Sequence, residues 1–311
     1  MSGVWHSRYV RRQALLAEQA PVRARKLEIN AVEHCNLSCR SCSHLSPVQP
    51  RYAVDPDEVH RDLRLLGRHY HARWLRLVGG EPLLHPDLPR LLEAIRSSGV
   101  ADRTVVVTNG VLLPRVQNLV WASVDRIDVS QYPGKRLGDT DVERCKQLAR
   151  RHGVRIYFDY VDEFRVSYSE SGANSEALVD RIYSACAIAH ELACHTVARG
   201  YFYKCPQSYF LPRTIPGVGA SSDRLAISDR PELGAELRAF LAIRKPLAAC
   251  RNCLGTAGMR FTHDQVRRGD FRMTQAPSSE ALVDERYLRR RHVASRTVLA
   301  AVRERVGREA H

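Results

Sequence analysis

The feature that most constrains the fold is a series of short apolar strands, several of them followed by amphipathic helices, between residues 27 and 160. The helical segments carry apolar residues three or four positions apart, and the strand segments are rich in β-branched residues. The predicted strands cover residues 27–32, 74–78, 104–108, 126–130 and 154–160. Strands that alternate with helices form βαβ units, in which neighbouring strands run parallel. The sequence therefore predicts an α/β fold.

The number of βαβ units limits which type of parallel sheet the chain can form. Residues 164–168 are a possible sixth strand, which makes five or six units in total. Six units are too few for a closed eight-stranded barrel, whereas a partial, open (β/α)6 barrel fits the count. The polar stretch 169–175, which contains Gly172, is the best position for a domain boundary after this barrel.

A cysteine-rich loop follows the first predicted strand. Cys35, Cys39 and Cys42 are separated by three residues and then by two. A loop of this spacing can place three thiolates around one [4Fe–4S] cluster and leave the fourth iron without a protein ligand. The loop begins just past the C-terminal end of a strand, where α/β barrels carry their chemistry. A zinc knuckle and a chance group of cysteines are the alternative interpretations.

The CxxxCxxC loop after a first strand resembles the signature of the radical S-adenosylmethionine (SAM) enzymes. The resemblance implies a partial barrel, a [4Fe–4S] cluster on these three cysteines, and SAM bound at the open iron. One residue departs from the family pattern, which usually has an aromatic residue near the adenine just before the third cysteine. This chain has Ser41 at that position, and we therefore expect the adenine contact from another residue, with His44 as a candidate.

A glycine turn ends the second predicted strand. It consists of Gly79, Gly80, Glu81 and Pro82, and glycines let a backbone approach a ligand closely. In the radical SAM family this GGEP turn binds the amino group of the methionine part of SAM. The resemblance therefore makes these four residues SAM-binding. A plain β-to-α turn is the alternative, but the position downstream of the cysteine loop favours the SAM interpretation.

Two further strand ends carry polar residues that resemble family positions. Asn109 follows the third predicted strand within a TNG sequence, and Ser130 ends the fourth strand, where relatives contact the SAM ribose or carboxylate. Both are predicted SAM-binding residues, with a structural role as the alternative. Glu28 points to the same end of the barrel, and the sequence assigns it no role. Cys145 shares an apolar helical face, and we expect it to be a small buried hydrophobic residue.

Five more cysteines lie beyond the predicted barrel, at Cys186, Cys194, Cys205, Cys250 and Cys253. Residues 194–205 have the pattern of a β-hairpin that turns near Arg199 and Gly200. A hairpin of this length would place its first and last residues, both cysteines, opposite each other at its base. The later CxxC motif would then add two more thiols to the same region.

These cysteines resemble the SPASM or twitch extensions of radical SAM proteins, whose pattern is a Cys, a gap, GxxxxC and a later CxxC. Cys186, with thirteen residues before Gly200, fits the gap, whereas Cys194, with five, does not. The resemblance implies a second [4Fe–4S] cluster, with a zinc ribbon as the alternative. One cluster uses four of the five thiols. Two arrangements are open: Cys194 is spare if the twitch pattern holds, and Cys250 is spare if both upstream cysteines bind the cluster. From the hairpin and the family gap we predict the second, in which Cys186, Cys194, Cys205 and Cys253 are ligands and Cys250 is a spare, catalytic thiol.

The chain is thus divided into four predicted segments. They are a basic N-terminal extension at 1–26, the barrel at 27–172, a SPASM/twitch-like domain at 173–262 and an arginine-rich helical tail at 263–311. Apolar residues make up 44% of the chain and charged residues 26%, as in ordinary soluble proteins. No run is long enough for a membrane span, and the N-terminus lacks the apolar core of a secretory signal. We therefore expect a cytoplasmic protein whose nine cysteines bind metal rather than form disulfides.

The formal net charge of +14 is concentrated in arginines near the two ends, at 8–26 and 286–308. An acidic reductase such as a flavodoxin or ferredoxin could dock on a basic face, and nucleic acid could do the same. An arginine-rich genome is a third explanation. We expect the reductase as partner, and we expect neither nucleic acid nor a membrane.

The resemblance implies a radical reaction. One electron from the cluster splits SAM into methionine and a 5′-deoxyadenosyl radical, which abstracts a hydrogen atom from a C–H bond of the substrate. Radical SAM enzymes that tailor aminoglycosides are the nearest resemblance, and they imply an amino sugar or aminocyclitol substrate. With a spare thiol as hydrogen donor, the predicted outcome is epimerisation of a sugar carbon. The alternatives are dehydrogenation of an alcohol or aminocyclitol, modification of a peptide and, from another class, a non-catalytic iron–sulfur or zinc protein that binds nucleic acid.

Overall fold

The computed structural model describes residues 20–272 and 277–291. Two sheets lie within these ranges, and their strands are numbered along the chain. The strands are β1 Val22–Val32, β2 Tyr70–Gly79, β3 Ala101–Thr108, β4 Arg126–Gln131, β5 Arg155–Tyr160, β6 Glu163–Arg165, β7 His195–Ala198, β8 Tyr201–Tyr203, β9 Arg224–Ala226 and β10 Arg260–Thr262. The main sheet has eight strands in the order β5-β4-β3-β2-β1-β7-β8-β9.

Six neighbouring strands of the main sheet are parallel. β1 pairs with β2 on one side and with β7 on the other, and the parallel pairing continues through β3 and β4 to β5. β8 and β9 extend the sheet in antiparallel pairing. The parallel strands bring their carboxyl ends to one edge, where α/β barrels carry their sites. The predicted α/β class and partial barrel are confirmed.

The sixth parallel strand is not the predicted one. The sequence places it at residues 164–168, but β6 pairs antiparallel with β10 in a separate two-stranded sheet. β7 takes the sixth parallel position instead, next to β1. A strand of three or four residues carries too little periodicity to indicate its neighbour. Tertiary packing therefore decides which short strand joins the sheet.

Nine α-helical segments with defined ends lie in the described ranges. They are α1 Pro56–Gly67, α2 Leu88–Ser97, α3 Asn118–Ala122, α4 Asp139–His152, α5 Glu176–Ala185, α6 Ala187–His190, α7 Gln207–Thr214, α8 Leu233–Ala242 and α9 Ser279–Leu282. Asp55 caps the start of α1, since its Oδ1 accepts a hydrogen bond from the Asp57 N–H at 2.9 Å. Gly153 ends α4 with a left-handed φ of 68°, which a glycine adopts without strain.

The main core lies between the sheet and the helices that cover it. Leu75 and Trp121 are fully buried there. Phe202 of β8 and Leu237 of α8 belong to the same core, because β7 and β8 continue the sheet beyond β1. Residues on both sides of the predicted boundary at 172/173 therefore share one sheet, and the division into domains stays a prediction.

The predicted basic ends fall mostly outside the described ranges. Residues 1–19 and 292–311 are not among them, so the N-terminal extension and most of the arginine-rich tail are not described. Within the tail, α9 and residues 285–291 are helical. None of the helices that the structure describes has the length and apolar character needed to cross a membrane.

Candidate active site

The predicted cluster loop lies at the carboxyl edge of the sheet. Cys35, Cys39 and Cys42 line one cavity, and all nine cysteines of the chain are free thiols. Burial is the main cause that raises the pKa of Cys35 and of Cys39 to about 12, and the neighbouring cysteines contribute to both shifts. The three thiols therefore sit close enough to affect one another, and a bound cation would be needed to keep them deprotonated.

The arrangement suits a cluster rather than one ion. No three His, Cys, Asp or Glu side chains among residues 20–272 and 277–291 converge tightly enough to hold a single metal ion. An iron–sulfur cube binds each thiolate at a separate iron, so its ligands do not need to converge on one point. Three free thiols around one cavity therefore fit a [4Fe–4S] cluster with one open iron.

Residues 264–268 hold the loop from the C-terminal side. The Arg40 N–H donates to the Asp264 carbonyl at 3.0 Å, and the two side chains form an ion pair at 2.8 Å. Arg268 Nη2 donates to the Cys35 carbonyl at 3.1 Å. The sequence analysis missed these contacts because they join residues more than 200 positions apart, and no local pattern indicates such a pairing.

The glycine turn packs against the backbone that leads into the cluster loop. A Cβ on Gly79 would lie 2.3 Å from the Val32 carbonyl oxygen, and a Cβ on Gly80 would lie 1.8 Å from the His34 carbonyl oxygen. The Gly80 N–H donates to Val32 O at 2.8 Å, and the Glu81 N–H donates to His34 O at 3.1 Å. Both glycines line the cavity. They are required because the turn and the loop approach each other too closely for side chains.

Glu81 anchors the glycine turn to the neighbouring strand end. Its buried carboxylate accepts hydrogen bonds from the Leu83 N–H, the Thr108 hydroxyl and the Asn109 N–H at 3.1, 2.7 and 2.8 Å. Burial raises the pKa of Glu81, and these hydrogen bonds oppose that shift. Neither Glu81 nor Pro82 lines the cavity. That all four residues of the turn bind SAM stays a prediction, and Glu81 also ties the glycine turn to the end of β3.

Asn109 and Ser130 lie where the sequence predicts them, in the cavity lining. Asn109 Nδ2 donates to Asn36 Oδ1 at 2.7 Å and to the Cys35 Sγ at 3.7 Å. The end of β3 therefore helps to orient the cluster loop. Ser130 stands at the end of β4 beside Tyr132, which also lines the cavity.

The cavity includes further residues that the sequence analysis left without a role or missed. Its lining contains Glu28, His44, Ser46, Arg76, Tyr132 and Phe164. His44, the candidate adenine contact, is partly buried, and its desolvation lowers its pKa to about 4. Ser41 turns away, because its hydroxyl accepts a hydrogen bond from the Ser167 N–H at 2.9 Å. Arg76 alternates on its strand with the core residues Leu75 and Leu77, so its side chain lies on the opposite face of the sheet. This alternation could have indicated from the sequence that Arg76 faces the barrel interior.

Four of the five C-terminal cysteines line a second cavity. They are Cys186, Cys205, Cys250 and Cys253. Burial raises the pKa of Cys205 to about 11, with a further contribution from Cys186. Burial also raises the pKa values of Cys250 and Cys253, and the other thiols of the group add to both shifts. By the same argument as for the first cavity, these four free thiols fit a second cluster site.

Cys194 lies outside this group. Burial raises its pKa to about 12, and the next largest cause is the carboxylate of Glu28, on β1. Cys205 leaves the hairpin toward α7 and joins Cys250 instead. The structure therefore contradicts the predicted arrangement in which Cys194 is a ligand beside Cys205 and Cys250 is spare. Residues opposite each other at the base of a hairpin need not direct their side chains into the same space once the strand pairing has ended.

Residues 29–195 match the Radical SAM superfamily. The chain belongs to this superfamily. Among curated relatives of this radical SAM protein, the GTP 3′,8-cyclase of Chlorobaculum tepidum is 32% identical over 126 residues, which cover 40% of this chain and 36% of the relative. GTP 3′,8-cyclase 1 of Mycobacterium tuberculosis (strain H37Rv) is 33% identical over 137 residues, covering 40% of this chain and 35% of the relative. The chain thus spans about a third of the length of these relatives.

Solved structures similar to this radical SAM protein include BtrN in complex with AdoMet and 2-DOIA. That likeness has a TM-score of 0.44 and 15% identity, and it covers 75% of this chain and 94% of BtrN. The structure of anSMEcpe with bound AdoMet has a TM-score of 0.34 and 21% identity, and it covers 44% of this chain and 42% of that one.

Membership in the radical SAM superfamily implies a [4Fe–4S] cluster and SAM as cofactors, together with a reductant and a substrate. The residues that line the cavity are themselves suited to both cofactors. Three free thiols reach it from one loop, two glycines expose turn backbone to it, and polar side chains enter it from the ends of β3 and β4.

Proposed function

We propose that the protein is a radical SAM enzyme that holds its [4Fe–4S] cluster through Cys35, Cys39 and Cys42 and binds SAM beside it. The observation that carries the proposal is one shared cavity, whose lining includes these thiols, the glycine turn, Asn109 and Ser130. When bound, the cluster and SAM supply reductive cleavage of SAM and abstraction of a hydrogen atom from a C–H bond.

The chain's own residues position these groups. Asn109 donates to the Cys35 thiol and to Asn36, so the end of β3 orients the loop. Glu81 joins the glycine turn to the same strand end. The partly buried ring of Phe164 forms part of the cavity wall, and an apolar wall helps to protect a reactive site from side reactions with water.

The second cavity is the proposed site of an auxiliary [4Fe–4S] cluster in a twitch-like extension. Cys186, Cys205, Cys250 and Cys253 share it, in agreement with the family gap before Gly200. Zinc is the alternative occupant, because four thiolates bind either, but a zinc ion would need the four thiols to converge more closely than they do here. An auxiliary cluster, when bound, supplies an electron acceptor within the protein.

This grouping changes the proposed outcome from epimerisation to dehydrogenation. Cys250 lies among the four thiols and is not free to return a hydrogen atom. Dehydrogenation removes two hydrogens from a substrate CH–OH group as a hydrogen atom, a proton and an electron, and leaves a carbonyl group. Epimerisation would need another thiol, and Cys194 beside Glu28 is the candidate. The proposed substrate is an amino sugar or aminocyclitol, and the names of the curated relatives make GTP a compound to include in the assay.

Anaerobic reconstitution tests the two sites separately. We expect about eight irons per chain, falling to about four with no SAM cleavage when Cys35, Cys39 and Cys42 are all replaced by alanine. Cys250→Ala should lower the iron of the second site, whereas Cys194→Ala should not. Cys145→Ala, a buried cysteine of α4, is the matched control and should keep all the iron. Zinc in place of the second four irons contradicts the auxiliary cluster.

Product analysis in D2O tests the outcome. A dehydrogenase yields a product two mass units lighter than the substrate and without solvent deuterium. An epimerase yields an isomer with one deuterium at the inverted carbon, and this result would contradict dehydrogenation. Failure to form 5′-deoxyadenosine with reductant and SAM contradicts the enzymatic proposal as a whole.

A further inference from the structure

The deep end of the cavity holds a buried ion pair that neither the cluster loop nor the glycine turn uses. Glu28 on β1 and Arg76 on β2 are partners in the sheet register, and Arg76 Nη1 donates to Glu28 Oε1 at 2.9 Å. Their side chains are 5% and 23% exposed, and they are the charged groups of the cavity lining. The mutual hydrogen bond and the contact of Glu28 with the Cys194 thiol do not by themselves offset the cost of taking two charges out of water. The pair therefore favours further polar partners.

Two neutral groups of the same lining also need partners. His44 Nε2 and Ser46 Oγ are buried and have no hydrogen-bond partner among the described residues. Ser46 is only 1% exposed. An unpaired buried polar group is destabilising, and a hydrogen-bonding ligand in the cavity would remove that cost.

The ion pair lies deeper in the barrel than the expected SAM-binding residues. Arg76 precedes Gly79 by three residues on β2, which corresponds to about 10 Å along a strand. Glu28 is at the same level, since the sheet register pairs it with Arg76. Gly80 and Ser130, in contrast, lie at the strand ends. The cavity thus has one polar end at the cluster loop and a second one within the barrel.

We propose that Glu28 and Arg76, together with His44 and Ser46, bind an amine-bearing, hydroxyl-rich part of the substrate. This proposal rests on the proposed function, because it takes the cavity to be the SAM-dependent active site. A carboxylate accepts hydrogen bonds from ammonium and hydroxyl groups, and a guanidinium donates to hydroxyl or ring oxygens. Glu28 compensates the charge of Arg76, so the lining has no excess positive charge for a phosphate. The substrate class is therefore an amino polyol and not a nucleoside triphosphate.

Ligand-observed NMR on the reconstituted enzyme with SAM tests the amine preference. The probes are glucosamine, glucose and glucose 6-phosphate. We expect glucosamine to bind about tenfold more tightly than glucose, because the amine adds a charge-assisted hydrogen bond. Glucose 6-phosphate should bind more weakly than glucose. Glu28→Gln should abolish the preference, and Glu163→Gln should keep it, since Glu163 pairs with Arg260 on the surface with both side chains 59% exposed.

Glu28→Asp provides a second variant in case unpaired Arg76 prevents Glu28→Gln from folding. It keeps the charge and withdraws the carboxylate by one methylene, so the amine preference should fall without disappearing. Equal binding of glucosamine and glucose by the wild-type protein overturns the proposal, and so does an unchanged preference in either folded variant. Weakened SAM binding with unchanged sugar binding would mean that SAM occupies this end, and this result also overturns it. An amine preference without any SAM cleavage would refute the proposed function and leave the subsite standing.

Discussion

Replacing Gly80 with alanine should disturb the cluster loop and the SAM site together. The new Cβ would lie 1.8 Å from the His34 carbonyl oxygen and 3.0 Å from the Cys35 nitrogen. Since carbon and oxygen atoms normally approach to about 3.3 Å, the turn and the loop must separate by about 1.5 Å. Gly80 is not one of the glycines with positive φ, so the effect is one of contact and not of backbone strain.

The size of the expected effect follows from the hydrogen bonds that this separation would break. The Gly80 N–H and the Glu81 N–H donate to carbonyls of the loop at 2.8 and 3.1 Å, and each bond contributes about 1 kcal/mol. Overpacking adds about 1–3 kcal/mol, so the local cost is about 3–5 kcal/mol. If even a third of this cost reaches the cofactor site, SAM affinity falls about tenfold.

The assay combines iron content after anaerobic reconstitution, SAM affinity by equilibrium dialysis, and thermal unfolding. We expect iron to fall from about eight to about four per chain, because the clash adjoins Cys35. From the sequence alone, a bulky residue at Gly80 is expected to weaken SAM binding and spare the iron, and the contact with His34 changes that expectation. Gly138→Ala is the control, since a Cβ there meets nothing within 4 Å and its φ is −72°. Iron content and SAM affinity equal to those of the control would refute the reasoning.

Three further predictions concern single contacts. Glu81→Gln should lower the free energy of unfolding by about 1–3 kcal/mol in chemical denaturation, because one of the three groups that donate hydrogen bonds to Glu81 would then face an amide NH2 group. Unchanged stability would contradict the role of Glu81 in positioning the glycine turn. Burial lowers the pKa of His195 to about 4, below the unfolded value of about 6.5, so stability should be lost as the pH falls from about 6.5 to about 4. His195→Gln should remove this part of the dependence of the free energy of unfolding on pH. An unchanged dependence would contradict the lowered pKa of His195. Arg268→Gln should speed loss of the cluster in air about fivefold through the lost bond to Cys35, whereas the surface variant Arg260→Gln should not; equal rates would contradict the role of residues 264–268.

Local sequence patterns were sufficient to predict much of the fold and the cluster-loop part of the site. Hydrophobic periodicity placed the first five strands, and the Arg199-Gly200 turn placed the β7–β8 hairpin. The three cysteines of the cluster loop lie within eight residues. Their grouping is therefore a property of the loop itself, which a spacing motif records.

Contacts between distant segments decided the rest. The sequence alone could not show that β7 pairs with β1, or that Cys250 rather than Cys194 lies near Cys205. Cys205 and Cys250 are 45 positions apart in the sequence, and such contacts depend on how whole elements pack, because no local periodicity encodes them. The Glu28–Arg76 pair has the same origin, since it forms only when β1 and β2 align in register. Backbone propensity acts within a few residues, whereas the choice among chemically similar cysteines and short strands is made by the shared core.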